Sequence, residues 1–358
     1  FNEICASPCR FFNKSLFSSR RAIAFCHNFP PFVDASSFVA SKRLLEINQK
    51  EGAPLDWHVF AQNMRTIRTS DQDYVRYFVD LITTERQYHG GAFAFVPKGQ
   101  LAYAEAAFKW AEPQRAEVIY SRSMFVGGHI AASMYKRAHP EVKWYAEFSD
   151  PPAYGVDNKP RACNGTPTWF DIEQMVYEGA DVIIFTNSQQ RDFMLSYNPR
   201  KELNGRVLSK SLVMHHPVIS HEYCGVKRFD YALDEKLINI GFFGTFYANR
   251  KADDLLNLLT NPKVVLHIFT SKPEDMADLV TKYEGRLRVN PQISHFKFLN
   301  LGSRMDYLVL TDTEFSGKVN PFLPSKYADY LVTGTPIIAK VQEGSVLSHE
   351  TNPRLIKV

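Results

Sequence analysis

The sequence has few cysteines, no long apolar run and little excess charge of either sign. Its five cysteines form an odd, widely spaced set without a Cys-x-x-Cys pair: Cys5, Cys9, Cys26, Cys163 and Cys224. Such a set offers neither a disulfide framework nor a zinc site, and it is typical of a reducing compartment. No apolar run approaches the ~20 residues that a membrane-spanning helix needs. We therefore expect a globular, cytoplasmic protein.

The charge balance argues against a dedicated nucleic-acid binder. Lysine and arginine total 42, aspartate and glutamate total 38, and the net charge is +4. The cations are scattered along the chain, whereas nucleic-acid binders concentrate them on one surface. With 358 residues, 45% of them hydrophobic, the chain is long enough for two domains, each with its own core. We expect small-molecule partners and no nucleic acid.

Residues 1–20 combine aromatic and basic side chains. The relevant residues of FNEICASPCRFFNKSLFSSR are Arg10, Phe11, Phe12, Lys14, Phe17 and Arg20, and Arg21 directly follows this stretch. This composition favours weak contact with an anionic membrane surface, here the inner face of the plasma membrane. A poorly ordered basic leader is the alternative interpretation. The segment lacks the long apolar core of a signal peptide.

Short apolar segments alternate with helical segments along the rest of the chain. The first series of expected strands is AIAFC (22–26), DWHVFAQ (56–62), GAFAFVP (91–97), AEVIYSR (116–122), VKWYAEFSD (142–150), DVIIFTNS (181–188) and KSLVMHHPV (210–218). A second series begins at LINIGFFGTFY (237–247). Apolar strands separated by helices are typical of parallel sheets. The sequence therefore predicts an α/β fold with two Rossmann-like, doubly wound domains, 21–218 and 237–358, joined by the linker 219–236 and facing a central crevice.

Ligands of open parallel sheets bind beyond the carboxyl ends of the strands. In the second domain one strand ends at Gly244 and Thr245, and Arg250 and Lys251 begin the following helix. Glycine lets a ligand approach the backbone closely, and a helix N-terminus with nearby cations favours an anion. The alternative is that the glycine serves only the turn.

A second anion-binding pattern lies in NPFLPSKYADYLVTGTPIIA (320–339). Ser325 follows a proline and is a candidate N-cap, and Gly334 is typical of a helix end. Lys326 falls in the first helical turn, where the helix dipole disfavours a cation. This placement indicates an anionic partner. Asp329 lies one turn later and either faces the same ligand or pairs with Lys326 in solvent.

These stretches, GFFGTFYANRKADDLLNLL and PSKYADYLVTGTPIIA, together with the two-domain order, resemble the GT-B glycosyltransferases. The resemblance is to the retaining, family 4-like branch that builds bacterial surface glycans, and it extends from residue 22 to about residue 345. EGADVIIFTNSQQRDFM and WYAEFSDPP fit the order of elements in that branch. The resemblance implies a nucleotide-sugar donor, a glycan or lipid-linked acceptor, and no metal or other cofactor.

The same resemblance implies which residues hold the donor diphosphate. They are Gly244, Thr245, Arg250, Lys251, Ser325 and Lys326. Among them, Lys326 and Arg250 would act in catalysis by stabilising charge on the leaving diphosphate. His216, near the end of the seventh expected strand, would approach the diphosphate or the base, and the alternative is that it is a polar loop residue.

The remaining implied residues concern the ribose and the donor sugar. Asp329 falls at the second glutamate of the family's E-x7-E motif, which binds the nucleotide ribose. The first glutamate would fall at Pro321, so Asp312, Glu314 or the backbone of 320–323 would have to contact the sugar. In the first domain, Asp150 either faces the sugar as a catalytic residue or begins a turn before two prolines.

The interpretation predicts sugar transfer to a glycan or lipid-linked acceptor, with retention, in polysaccharide biosynthesis such as capsule or O-antigen formation. Two other classes share the architecture. A sugar-nucleotide 2-epimerase needs groups for proton abstraction, and this chain offers Glu147, Asp150 and the pair His215 and His216. A catalytically silent GT-B subunit is the other alternative, favoured by the missing first glutamate.

Overall fold

The computed structural model describes residues 3–4, 20–31, 35–53, 55–62, 71–79, 83–88, 96–246 and 253–358. The described residues up to Pro217 form one compact unit, and Val218–Val358 belong to a second. Each unit contains one parallel sheet covered by helices.

The first unit contains a seven-stranded sheet. Its strands are β1 (Arg21–Phe25), β2 (Asp56–Gln62), β3 (Thr83–Tyr88), β4 (Val118–Ser123), β5 (Lys143–Phe148), β6 (Val182–Phe185) and β7 (Ser211–Val213). Neighbouring strands are all parallel, in the order β3-β2-β1-β4-β5-β6-β7. The strand order reverses between β1 and β4, which is the arrangement of a doubly wound sheet.

Five helices of eight or more residues belong to the described part of this unit. They are α1 (Ala35–Glu51), α2 (Leu101–Ala111), α3 (Gly127–Ala138), α4 (Trp169–Gly179) and α5 (Ser188–Tyr197). The local sequence explains where two of these helices begin. Thr168 and Asp171 form a reciprocal capping box at α4, and the Asn187 side chain caps α5 by accepting from the Gln190 N–H at 2.7 Å.

The second unit contains a six-stranded parallel sheet in the order β10-β9-β8-β11-β12-β13. Its strands are β8 (Ile238–Phe243), β9 (Val264–Thr270), β10 (Leu287–Pro291), β11 (Tyr307–Thr311), β12 (Ile337–Lys340) and β13 (Leu355–Lys357). Its longer helices are α6 (His295–Gly302) and α7 (Ser325–Thr333). Shorter helices span Asp253–Leu256, Ala277–Lys282 and Val346–His349. Segment 219–236, expected as a linker, hydrogen-bonds within this unit: Asn300 Oδ1 accepts from the Phe229 N–H at 2.9 Å.

The prediction of an α/β fold with two doubly wound parallel sheets is confirmed. The third expected strand, 91–97, falls mostly outside the described residues, and its last residue, Pro97, begins a 3-10 turn. The strand beside β2 is instead β3, whose sequence TTERQY carries no apolar pattern. An edge strand pairs on one side only and tolerates such a polar sequence.

A buried ion pair joins α1 to the centre of the first sheet. Arg43 Nε donates to Glu147 Oε2 at 3.0 Å, and both side chains are fully buried. Arg43 Nη2 also donates to the carbonyl oxygens of Met214 and His215, at 3.0 and 2.9 Å. This arginine therefore holds the chain that follows β7, and β7 is shorter than the nine residues 210–218 expected as a strand.

Helix α3 lies close to the sheet because its first two residues are glycines. A Cβ on Gly128 would overlap the carbonyl oxygen of Phe25 in β1, and a Cβ on Gly127 would lie 2.9 Å from Tyr103 Cδ1. Both positions are tighter than side chains tolerate, so this stretch of α3 requires glycine.

We expect Gly128→Ala to lower the urea midpoint of the first unit, with a cost of about 1 to 3 kcal/mol, because backbone atoms must move to admit the methyl group. Gly205→Ala is the matched control. It lies in the helix Asn204–Ser209 with nothing within 4 Å of a new Cβ, and it should stabilise by about 0.5 to 1 kcal/mol through helix propensity. Equal urea midpoints for the two variants would contradict the close approach of α3 to β1.

Candidate functional site

Helix α7 begins over the carboxyl end of β8. The hydroxyl of Tyr330 accepts a hydrogen bond from the Phe243 N–H at 3.1 Å. Lys326, one turn earlier on the same helix face, lies against Gly244, where an added Cβ would overlap the lysine Nζ and Cε. The structure thus brings together two residues that the sequence singled out in separate motifs.

The start of α7 differs from the expectation in one respect. Pro324, with φ −61° and ψ 120°, occupies the N-cap position, and Ser325 is the first helical residue. Pro324 makes no side-chain capping hydrogen bond, because proline offers no side-chain acceptor. The positive end of the helix dipole, which favours an anion, lies at this turn. Gly334 ends the helix in a left-handed conformation, φ 77°, as expected.

Asp329 lies on α7 beside a histidine that the sequence interpretation missed. His295 Nε2 is 3.9 Å from Asp329 Oδ1, and the two side chains are 4% and 15% exposed. His295 is the first residue of α6 and follows the carboxyl end of β10. Its position after a strand of the second series was the signal that could have identified it.

The loops after β8 and β9 meet through their hydroxyl groups. Thr245 Oγ1 is 3.1 Å from Ser271 Oγ, so these two loops lie side by side at the same sheet edge. Arg250 and Lys251 lie outside the described residues, and their expected contact with the diphosphate stays a prediction.

A hydrogen-bond network braces the loop that leads into α7. The Asn320 side chain donates to Thr313 O at 2.7 Å and accepts from the Phe322 N–H at 3.0 Å. Gln342, after β12, accepts from the Phe315 N–H and donates to the Phe315 carbonyl oxygen. The loop expected to replace the missing glutamate is therefore held rigidly. Gln342 was missed because only the tertiary structure brings it to this loop.

In the first unit, Asp150 follows β5 and is partly exposed, whereas His216 is buried. Burial lowers the pKa of the Arg161 guanidinium, and the charge of Asp150 partly offsets that effect, so the two side chains interact. Both candidates belong to the first unit, and the other described candidates belong to the second.

Glu147 is not available for proton abstraction. Burial by itself would raise the pKa of its carboxyl, but Arg43 and Arg122 outweigh that effect and hold the pKa at about 2. The Tyr120 hydroxyl donates to the same carboxylate at 2.5 Å. Glu147, one of the groups considered for proton abstraction by an epimerase, is therefore a core residue.

A second buried carboxyl holds the loop that carries Asp150. Glu173 Oε1, on α4, accepts from the Ala153 N–H at 2.9 Å and from the Tyr197 hydroxyl at 2.8 Å. Burial raises the pKa of Glu173 to about 8, despite these two donors. The hydroxyl of Tyr177, one turn further along α4, is buried as well. The loop after β5 is thus anchored by a carboxyl that is mostly neutral at pH 7.

No arrangement of three or more His, Cys, Asp or Glu side chains suited to a metal ion occurs in the described ranges. In the same ranges, no helix combines the length and the apolar character needed to cross a membrane.

Neither a family model nor a curated protein matches the chain in sequence. Solved structures match its fold. Sucrose-phosphate synthase from Thermosynechococcus elongatus has a TM-score of 0.63 and 14% identity, over 95% of this chain and 86% of that one. A glycosyltransferase from Rickettsia africae ESF-5 has a TM-score of 0.61 and 10% identity, over 95% and 84%.

An epimerase is also among these structures. The UDP-GlcNAc 2-epimerase from Methanocaldococcus jannaschii, solved with UDP-GlcNAc and UDP, has a TM-score of 0.52 and 10% identity, over 95% of this chain and 88% of that one. At such identities the likeness establishes the fold, which is GT-B. Glycosyltransferases and 2-epimerases both have this fold, so the choice between them depends on the site.

We expect Glu173→Gln to remove a pH dependence of stability. The carboxyl is neutral in the folded chain and has an ordinary pKa of 4.5 when unfolded. Its contribution is therefore complete below about pH 4.5 and is lost as pH rises through about 8. As pH rises across that interval, the free energy of unfolding of the variant should increase relative to that of the wild type by at most about 1.4 kcal/mol per pH unit.

Urea midpoints at a series of pH values would measure this gain. Glu105→Gln, at an exposed position of α2, is the control and should follow the wild type. A constant difference between Glu173→Gln and the wild type at all pH values would show that Glu173 is ionised in the folded chain.

Proposed function

We propose that the protein is a glycosyltransferase of the hexosyltransferase type. It transfers a sugar from a nucleoside-diphosphate donor to a glycan or lipid-linked acceptor, with retention, in the synthesis of a surface polysaccharide. The observation that carries the proposal is the position of Lys326 against Gly244. An ammonium in the first turn of a helix whose N-cap is a proline, beside a glycine at the end of β8, suits a diphosphate.

In this mechanism the bond between the sugar C1 and the diphosphate oxygen breaks while the acceptor hydroxyl bonds to C1. The acceptor proton passes to the leaving phosphate on the same face of the sugar. Lys326 and Arg250 stabilise the charge that develops on the leaving diphosphate. Gly244, Thr245, Lys251 and Ser325 contact the same group, and no step needs a metal.

Other parts of the donor are bound elsewhere on the chain. Asp329 accepts from a ribose hydroxyl, and the rigid loop braced by Asn320 contacts the donor sugar in place of the missing glutamate. Asp150 faces the sugar from the first unit, and His216 approaches the diphosphate or the base. These roles agree with the arrangement of the loops after β8, β9 and β11 at one edge of the second sheet.

We also propose a weak contact of the leader, residues 1–20, with the inner face of the plasma membrane, which suits a lipid-linked acceptor. Most of the leader lies outside the described residues. Arg20, at its end, is paired with Glu51 and Glu117 at 3.0 and 3.1 Å. The attraction to anionic lipid would therefore come from Arg10 and Lys14.

A panel of nucleotide-sugars and nucleoside diphosphates tests the function directly. We expect one nucleoside diphosphate to raise the melting temperature by mass action, and its sugar conjugate to donate to an acceptor glycan. Formation of an epimerised nucleotide-sugar without acceptor would identify an epimerase instead. Failure of every nucleotide to stabilise the chain would identify a silent subunit.

We expect Lys326→Ala to lower kcat, with a loss of about 2 to 4 kcal/mol of transition-state stabilisation, while the unfolding midpoint changes little. Gly244→Ala should act in the same direction, because its Cβ displaces the ammonium. Lys282→Ala, which removes a cation at the ring of Tyr283, is the control and should keep full activity. Near-normal kcat in folded Lys326→Ala would remove Lys326 from the site.

A further inference from the structure

We propose that Asn164, in the loop between β5 and α4, is a site of spontaneous deamidation. The Gly165 N–H group supplies the nucleophile, and the Lys98 ammonium stabilises the charge that develops. Asparagine is one of the thermolabile residues of proteins, and a change of side-chain charge alters the local electrostatics. The modification is independent of the proposed function, and it places a carboxylate on the loop that follows Asp150.

The reaction needs only water as a co-reactant. A base in the solvent removes the proton of the Gly165 N–H group, and the electron pair of this nitrogen attacks Cγ of Asn164. A new C–N bond forms, the bond from Cγ to the side-chain nitrogen breaks, and that nitrogen takes up a proton and leaves as ammonia. Water then opens the five-membered succinimide ring at either carbonyl. The net change is one water consumed, one ammonia released, and aspartate or isoaspartate in place of asparagine.

The first argument is the accessibility of the reacting atoms. Asn164 and Gly165 are both exposed to solvent. In the part of the chain that the structure describes, no hydrogen bond holds the Asn164 side chain in place. Gly165 has φ 89° and carries no Cβ, so no side chain of its own crowds the attacking nitrogen. The carboxamide can therefore turn towards that nitrogen at little cost.

The second argument is a cation beside the attacking group. Lys98 belongs to the 3-10 turn Pro97–Gln100, far from the loop in sequence. A Cβ on Gly165 would lie 3.3 Å from Lys98 Cδ and 3.7 Å from its Nζ. Negative charge forms first on the Gly165 nitrogen and then on the oxygen of the attacked carboxamide. An ammonium a few ångströms away lowers the energy of both charged species.

The third argument is a second Asn-Gly dipeptide, Asn204-Gly205, whose structure opposes the same reaction. Asn204 begins the helix Asn204–Ser209. Its Oδ1 accepts from Asn198 Nδ2 at 2.7 Å, and its Nδ2 donates to Leu195 O at 3.1 Å. Ring closure would have to break both hydrogen bonds and distort the first helical turn. The fold thus protects one Asn-Gly dipeptide and leaves the other open to attack.

Peptide mass spectrometry after incubation tests the proposal on the full chain. The folded protein would be kept in warm, mildly alkaline buffer, sampled over time and digested, and the peptides that carry the two asparagines would be followed. We expect Asn164 to be replaced by aspartate and isoaspartate. Its conversion should be about tenfold or more faster than that of Asn204, because only Asn204 must first lose two hydrogen bonds.

Variants of exposed lysines test the part played by the cation. Lys98→Gln should slow the conversion of Asn164 by about twofold to fivefold, the effect of removing one nearby charge in a solvated site. Lys98→Arg keeps the charge and should keep the rate. Lys109→Gln, at an exposed position of α2, is the matched control and should react as the wild type does. An unchanged rate in Lys98→Gln would remove Lys98 from the reaction.

A denaturant separates the effect of the fold from that of the local sequence. In guanidinium chloride, where the fold is lost, Asn164 and Asn204 should deamidate at similar rates, and Lys98→Gln should have no effect. Equal rates at the two sites in the folded chain would overturn the protection of Asn204. An intact Asn164 in the folded chain, together with conversion of both sites in denaturant, would overturn the proposal itself.

Discussion

The ion pair between Arg43 and Glu147 is the constraint on which the first unit depends. Both charges are fully buried, so removing either partner would leave the other uncompensated at a cost of about 3 to 5 kcal/mol. Through this pair, α1 is tied to β5, and through the same guanidinium to the carbonyls that follow β7. Arg122 joins the same carboxylate and donates to Ser36 near the start of α1. One polar cluster therefore holds both the start of α1 and the chain that follows β7.

In the second unit, the absence of a side chain at Gly244 plays the comparable role. Any Cβ there would take the space of the Lys326 ammonium. The close approach lets α7 bring the Lys326 ammonium and the start of the helix to the end of β8. An arrangement that opposes the helix dipole carries a cost in the free protein. In the proposed function, binding of the donor diphosphate would offset that cost.

Much of the architecture could be read from local patterns. DWHVFAQ has the bounds of β2. The strands β5, β6 and β8 fall within their expected stretches, and β4 extends one residue beyond its own. Runs of apolar residues predict long buried strands, and Thr, Asn or Gly at the ends of a segment predicts a capped helix. The edge strand β3 could not be found in this way, because its sequence is polar. The N-cap at Pro324 also escaped, because Ser325 beside it is the stronger capping residue by type.

The sequence by itself determined the fold class, the order of the elements and the two motifs around Gly244 and Lys326, because these follow from hydrophobic periodicity and from residue preferences at strand and helix ends. Only the tertiary structure decided that Lys326 lies against Gly244, that His295 lies 3.9 Å from Asp329 and that Gln342 braces the loop before α7. It also showed Glu147 to be a core residue. These are contacts between residues far apart in the chain. Their geometry depends on how helices pack on a twisted sheet, and local preferences carry no information about it.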